Sequence, residues 1–186
     1  MSVADFIADD RQFISQTSVR TFMRERILAG TPRMLEPENH AAVREAIAIK
    51  FELHVNRVIV VGSAKLGYSV SPRKGLKPFD DQSDVDVAIV SPALFERYWL
   101  EMYRAQRSMV DWPELGDARK YLFRGWIRPD KLPLQQVRND WFDFFASLQS
   151  AEGCSPYPVR GGLYYNDEFL EYYQEIGVAK TFEAVA

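Results

Sequence analysis

The sequence predicts an α/β (α+β) chain, a small sheet flanked by helices and preceded by a helical N-terminal segment. Three observations carry this. The first third places apolar residues at helical spacing, two short β-branched runs (RVIVV at 57–61 and VDVAIV at 85–90) have the composition of buried strands, and the second run passes through Ser91-Pro92 into another amphipathic stretch.

Taken in order, residues 3 to 15 and 18 to 29 predict a helical pair, with Val19, Phe22, Met23, Ile27 and Leu28 at helical spacing and Gly30 and Pro32 as stop signals. A third helix is expected over about 38 to 53 on Ala42, Ala46, Ile49 and Leu53, with acidic residues near its start favouring the dipole. The 57–61 run stops at Gly62, as a buried strand ending in a functional turn does. Between the two runs, a segment rich in Gly, Pro and Lys reads as a short helix plus a loop. Leu94, Tyr98, Met102 and Ala105 share one face of a helix over 92–107. The stretch 108–133 alternates aromatic and charged residues between prolines and is assigned mainly to loop and short helix. A helix over 134–149, a third strand at Tyr157 to Tyr165, an Asn166-Asp167 cap and a last helix through about 177 complete the expectation.

At 186 residues the chain fits one domain, 1–186, with residues 1–55 as the helical segment and 56–186 as the core and C-terminal helices. A hydrophobic fraction of 47% with 26% charged residues argues against disorder. The formal net charge of -3 argues against general duplex DNA binding, while leaving room for a local basic patch. Cys154 is the single cysteine, which excludes an internal disulfide and fits a reducing, cytoplasmic setting. The N-terminus has acidic residues and no long apolar run, so neither a signal peptide nor a membrane span is expected.

The chemistry concentrates in residues 58 to 90, VIVVGSAKLGYSVSPRKGLKPFDDQSDVDVAIV. Its first half runs a strand into Gly62-Ser63, where a glycine permits close backbone approach and a hydroxyl with open N–H groups can hold phosphate oxygens. In the second half, Asp84 and Asp86 lie two apart on a strand, so their carboxylates share a face and can grip the same divalent cation. Two acids at the start of a buried strand are costly unless a cation or hydrogen bonds compensate them. The bland alternatives are solvated carboxylates at a strand edge, or an Asp cap after Ser83, and for Ser63 a plain helix cap. His40 and His54 have no ligand partner at short spacing and read as structural.

Together, Gly-Ser after a strand and Asp-hydrophobic-Asp on the next resemble the signature of the DNA-polymerase-β-like nucleotidyltransferase superfamily, over residues 57 to 107. The string GSAKLGYS followed by a longer loop and SDVDVAIVS also resembles small bacterial nucleotidyltransferases of antiphage-defence operons, of the Hailong and CBASS types. The resemblance implies a mixed sheet flanked by helices and magnesium, or manganese, held by acidic side chains at its edge. It implies transfer of a nucleoside monophosphate from an NTP or dNTP to a hydroxyl, in defence an oligonucleotide or nucleotide signal that switches on an effector. Mapped onto this chain, Asp84 and Asp86 are catalytic metal ligands, and Gly62, Ser63, Lys65, Lys77 and Ser83 contact the nucleotide. Arg73 and Lys74 are further basic candidates for the triphosphate or acceptor. Relatives of toxin-antitoxin type imply an alternative acceptor, a protein or tRNA. A catalytically degenerate nucleotide- or partner-binding module is the other alternative, because the third acid of the superfamily has no evident place: the late strand carries Arg160, and Asp80, Asp81, Asp111, Asp143 and Asp167 are all open. The N-terminal helices offer a docking surface for a companion effector or for self-association as a homo-oligomer.

Overall fold

The computed structural model describes residues 2–150 and 154–184. Ser2 caps the first helix, α1 (Val3–Gln16), in a capping box with Asp5, and Ser18 caps α2 (Val19–Phe22), which continues as a π-helical stretch over Met23–Leu28. There the amide of Ala29 reaches back five residues to the carbonyl of Arg24. Pro37 opens α3 (Pro37–Phe51), and Glu52 ends it in the left-handed conformation. Strand β1 (Val58–Val61) passes without a loop into α4 (Gly62–Leu66), a single turn, and the expected short helix and loop lead to β2 (Val85–Val90). Ser91 and Pro92 start α5 (Pro92–Arg107), as their positions predict.

The region assigned mainly to loop contains α6 (Leu115–Phe123) and a two-residue strand, β3 (Trp126–Ile127). A strand that short carries no alternation, and it exists because its neighbour supplies the pairing. Helix α7 (Gln135–Ser150), strand β4 (Val159–Tyr164) and helix α8 (Asp167–Ala184) follow. Asn166 caps α8 through its side chain on the Phe169 amide, and the helix runs past the expected end at 177. Gly177 ends nothing because Val178 and Thr181 remain buried beyond it.

The four strands form one mixed sheet in the order β1-β2-β4-β3, with β1 antiparallel to β2, β2 parallel to β4, and β3 antiparallel to β4. Helices cover both faces. Val85, Val87 and Ile89 enter a core with Val43 and Ile47 of α3, Phe95 of α5 and Phe145 of α7. Ala88, Val90 and Tyr164 enter a second core with Phe22 and Ile27 of the N-terminal segment and Leu170 and Val178 of α8. The period of two in β2 sorts these side chains, so Asp84 and Asp86 belong to the face of Ala88 and Val90. Gly161 is where the Phe145 ring packs directly on the strand, in space that a Cβ would occupy. No helix among the described residues is long and apolar enough to cross a membrane.

Candidate functional site

Antiparallel pairing sets Val61, the last residue of β1, across from Asp86, near the start of β2. The chain therefore turns into Gly62-Ser63 directly above the Asp86 carboxylate. Gly62 has φ +68°, and a Cβ there would stand 2.8 Å from Asp86 Oδ2, so both backbone conformation and space require glycine. On the other side of β2, the parallel register places Arg160 of β4 opposite Asp86. Arg160 Nε donates to Asp84 Oδ2 at 2.8 Å. Gly62-Ser63, the two carboxylates and Arg160 thus meet at one end of the sheet.

That end opens into a cleft of about 1540 Å³, lined by Gly62, Ser63, Asp86 and Arg160 and continuing along α7 and α8. Asp86 opens onto the cleft, yet the protein crowding its carboxylate, together with the charge of Asp84, pushes its pKa up to about 6. Lys74 and Arg160 act in the opposite direction on it. An aromatic wall stands further along. Trp126 and Tyr164 are stacked with ring centroids 5.8 Å apart, and Tyr173 leans on Trp126 at 4.7 Å. The Trp126 indole N–H is buried without a partner among the described residues. Arg124, Arg128 and Lys180 add positive charge to the same cleft, although Arg128 is paired with Asp130.

Of the residues singled out in the sequence, Gly62, Ser63, Asp86 and Lys74 line the cleft, and Asp84 adjoins it through Arg160. Three expected nucleotide contacts are held elsewhere. Lys65 is buried and donates to the Gly30 carbonyl at 2.6 Å, its pKa lowered to about 8 by burial and by Arg44 and Arg33. It sits on the inner side of the one-turn helix α4, which faces the N-terminal segment. Lys77 pairs with Asp80 at 2.7 Å, and Ser83 donates to the same aspartate at 2.8 Å, so both brace the loop ahead of β2.

None of the acids left open for the third position joins Asp84 and Asp86. Asp80 is held by Lys77 and Ser83, and Asp167 pairs with Arg57 at the opposite end of the sheet, 3.2 Å away. Asp81, Asp111 and Asp143 do not line the cleft. Among the described residues no group of three His, Cys, Asp or Glu side chains is arranged to hold a metal.

The N-terminal segment proves to be part of the site's foundation. Asp10 of α1 is fully buried and accepts two bonds from Arg33, at 2.6 and 2.9 Å, and one from the Tyr68 hydroxyl at 2.7 Å. Arg33 also donates to the Leu66 carbonyl, and the Arg33 and Met34 amides bond to the carbonyls of Lys65 and Ala64. Helix α4, which carries the Gly-Ser turn, is thereby fixed from below. These partners lie 23 to 58 residues apart in sequence, so no local pattern announces them. Tyr173, which the sequence leaves open between core and a ring stacked on a base, and Arg124 and Arg128, open between a packed turn and a nucleotide contact, all line the cleft.

Comparison of the chain with protein-family models, with curated proteins and with solved structures finds no match.

Proposed function

We propose that the cleft binds a nucleoside triphosphate together with magnesium or manganese, and that the protein is a nucleotidyltransferase moving NMP or dNMP to a hydroxyl. The observation that carries this is the seating of the Gly62-Ser63 turn on Asp86 with Asp84 beside it. Two carboxylates on one strand face are hard oxygen donors, and magnesium is commonly bound by one or two such groups with substrate phosphates completing its shell. The donor set fits that ion. When bound, it supplies positive charge that neutralises the triphosphate and the charge developing on it.

The chain's own residues do the rest. Gly62 lets the backbone approach the phosphates, and Ser63 presents its hydroxyl at the same place. Lys74 and Arg160 bring cationic charge to the cleft, and the Trp126–Tyr173 wall offers a flat apolar surface for a base. In the transfer, the acceptor hydroxyl gives up its proton to water as its oxygen bonds to the α-phosphorus, the bond from that phosphorus to the bridging oxygen breaks, and pyrophosphate leaves with the electron pair. An oligonucleotide or nucleotide signal in antiphage defence is the preferred product, on the resemblance of the motif. A protein or tRNA acceptor is the variant.

Incubation with each NTP and dNTP plus magnesium or manganese, with pyrophosphate measured and products weighed by mass spectrometry, tests this. Wild-type protein should release pyrophosphate, and Asp84→Asn with Asp86→Asn should reduce release at least about a hundredfold while circular dichroism stays unchanged. Undiminished turnover in the double variant sinks the proposal. A second reading, a degenerate nucleotide-binding module, is favoured by one observation: Arg160 occupies the neighbouring-strand position opposite Asp86. Metal-dependent nucleotide binding with no product from any of the triphosphates would select it.

A further inference from the structure

Arg160 belongs both to the carboxylate pair and to the lining of the cleft. It stands across from Asp86 in the parallel register, and it is committed to Asp84 by a 2.8 Å contact. The same guanidinium lines the cleft, and its side chain is 63% exposed, against 32% for Asp84. A cation arriving alone at the two carboxylates therefore meets a positive group already holding one of them. A triphosphate entering the cleft offers that group a better partner, because a guanidinium binds phosphate oxygens bidentately and with charge assistance. The exposed ion pair that must be broken is weak and screened.

We propose that Arg160 is a positioning residue that couples the two ligands. In the nucleotide-free protein it pairs with Asp84 and weakens divalent-cation binding at the site. A nucleoside triphosphate draws it onto the phosphates and frees Asp84, so cation and nucleotide bind in concert. This rests on the proposed cation and nucleotide site and names how that site is regulated. By reciprocity the cation must strengthen nucleotide binding by the same factor as the nucleotide strengthens cation binding.

The experiment measures manganese binding by electron paramagnetic resonance, with and without a non-hydrolysable α,β-methylene triphosphate. It uses the wild-type chain, Arg160→Gln, Arg160→Lys and the Asp84→Asn/Asp86→Asn double variant. Wild type should bind manganese weakly alone and clearly tighter with the analogue. Arg160→Gln should bind manganese alone about fivefold tighter than wild type, the factor expected from releasing an exposed pair, and lose most of the enhancement. Its affinity for the analogue should fall about tenfold. Arg160→Lys, a point charge without the planar fork, should still oppose manganese but recover only part of the analogue affinity. Equal manganese affinity of wild type and Arg160→Gln without nucleotide overturns the coupling role while leaving the site reading standing. Manganese binding that survives in the double aspartate variant, or is absent in every combination, overturns the site reading itself and this role with it.

Discussion

Gly62 and Asp86 are in such close apposition that a Cβ on the glycine would lie 2.8 Å from the carboxylate oxygen of the aspartate. Gly62→Ala therefore pushes Asp86 aside and also forces an L side chain into φ +68°, at a cost of about 1–2 kcal/mol. Chemical denaturation should register that loss. Manganese affinity and pyrophosphate release should fall more than the modest destabilisation accounts for, because the displaced group is the one proposed to hold the cation.

The Asp10–Arg33–Tyr68 cluster provides a test of the N-terminal segment. Removing one partner of a buried ion pair leaves the other charge uncompensated, so Asp10→Ala should destabilise by about 3–5 kcal/mol. Tyr68→Phe, which removes one of the three bonds to Asp10, should cost about 1 kcal/mol. Arg57→Ala, at the exposed pair with Asp167, should cost about 0–1 kcal/mol. Urea melts of the three variants check this order, and equal effects at Asp10 and Arg57 would refute the structural role given to Asp10.

Stability between about pH 4 and pH 6.5 should reflect two groups of opposite sign. Burial, with the charges of Arg44 and Lys65, lowers the His40 pKa to about 4, so between that value and about 6.5 the unfolded chain binds the extra proton and stability rises with pH. The Asp86 pKa is raised to about 6, so between about 3.9 and that value the folded protein binds the extra proton and stability falls as pH rises. Unfolding midpoints across this window should climb with pH in Asp86→Asn, where the histidine acts alone. In His40→Gln they should decline. The same slope in both variants contradicts the assignment.

Tyr173 tests the aromatic wall. Its ring is partly exposed and leans on Trp126, so Tyr173→Ala should weaken binding of a non-hydrolysable nucleoside triphosphate by about 1–3 kcal/mol through lost stacking. Inorganic tripolyphosphate has no base and should bind the variant as it binds wild type. Calorimetric titration with both ligands separates the contributions. Equal loss for the two would mean that the wall does not hold the base.

The elements with strong periodicity were legible in the sequence because their signals are local. The β-branched runs, the Ser91-Pro92 start of α5 and the Asn166 cap each depend on residues within a few positions, and the structure has them there. The two-residue strand β3 was not legible, because it exists only through pairing with Leu163 and Tyr164. Within the candidate site, Gly62, Ser63, Asp84 and Asp86 were visible because a strand-turn and an alternating pair of acids are short-range patterns. The burial of Lys65 against the Gly30 carbonyl was not legible, because charge alone does not say which side of a one-turn helix faces the core.

By itself, then, the sequence determined which residues could carry chemistry and that two of them share a strand face, since alternation along a strand is a property of the backbone. Tertiary structure decided what surrounds them. Antiparallel register brought Gly62 onto Asp86, parallel register placed Arg160 opposite Asp86 and against Asp84, and the buried Asp10–Arg33 pair fixed the helix below the turn. Each of these relationships joins positions more than twenty residues apart, and only the packing of both helical layers on the sheet sets which of them meet.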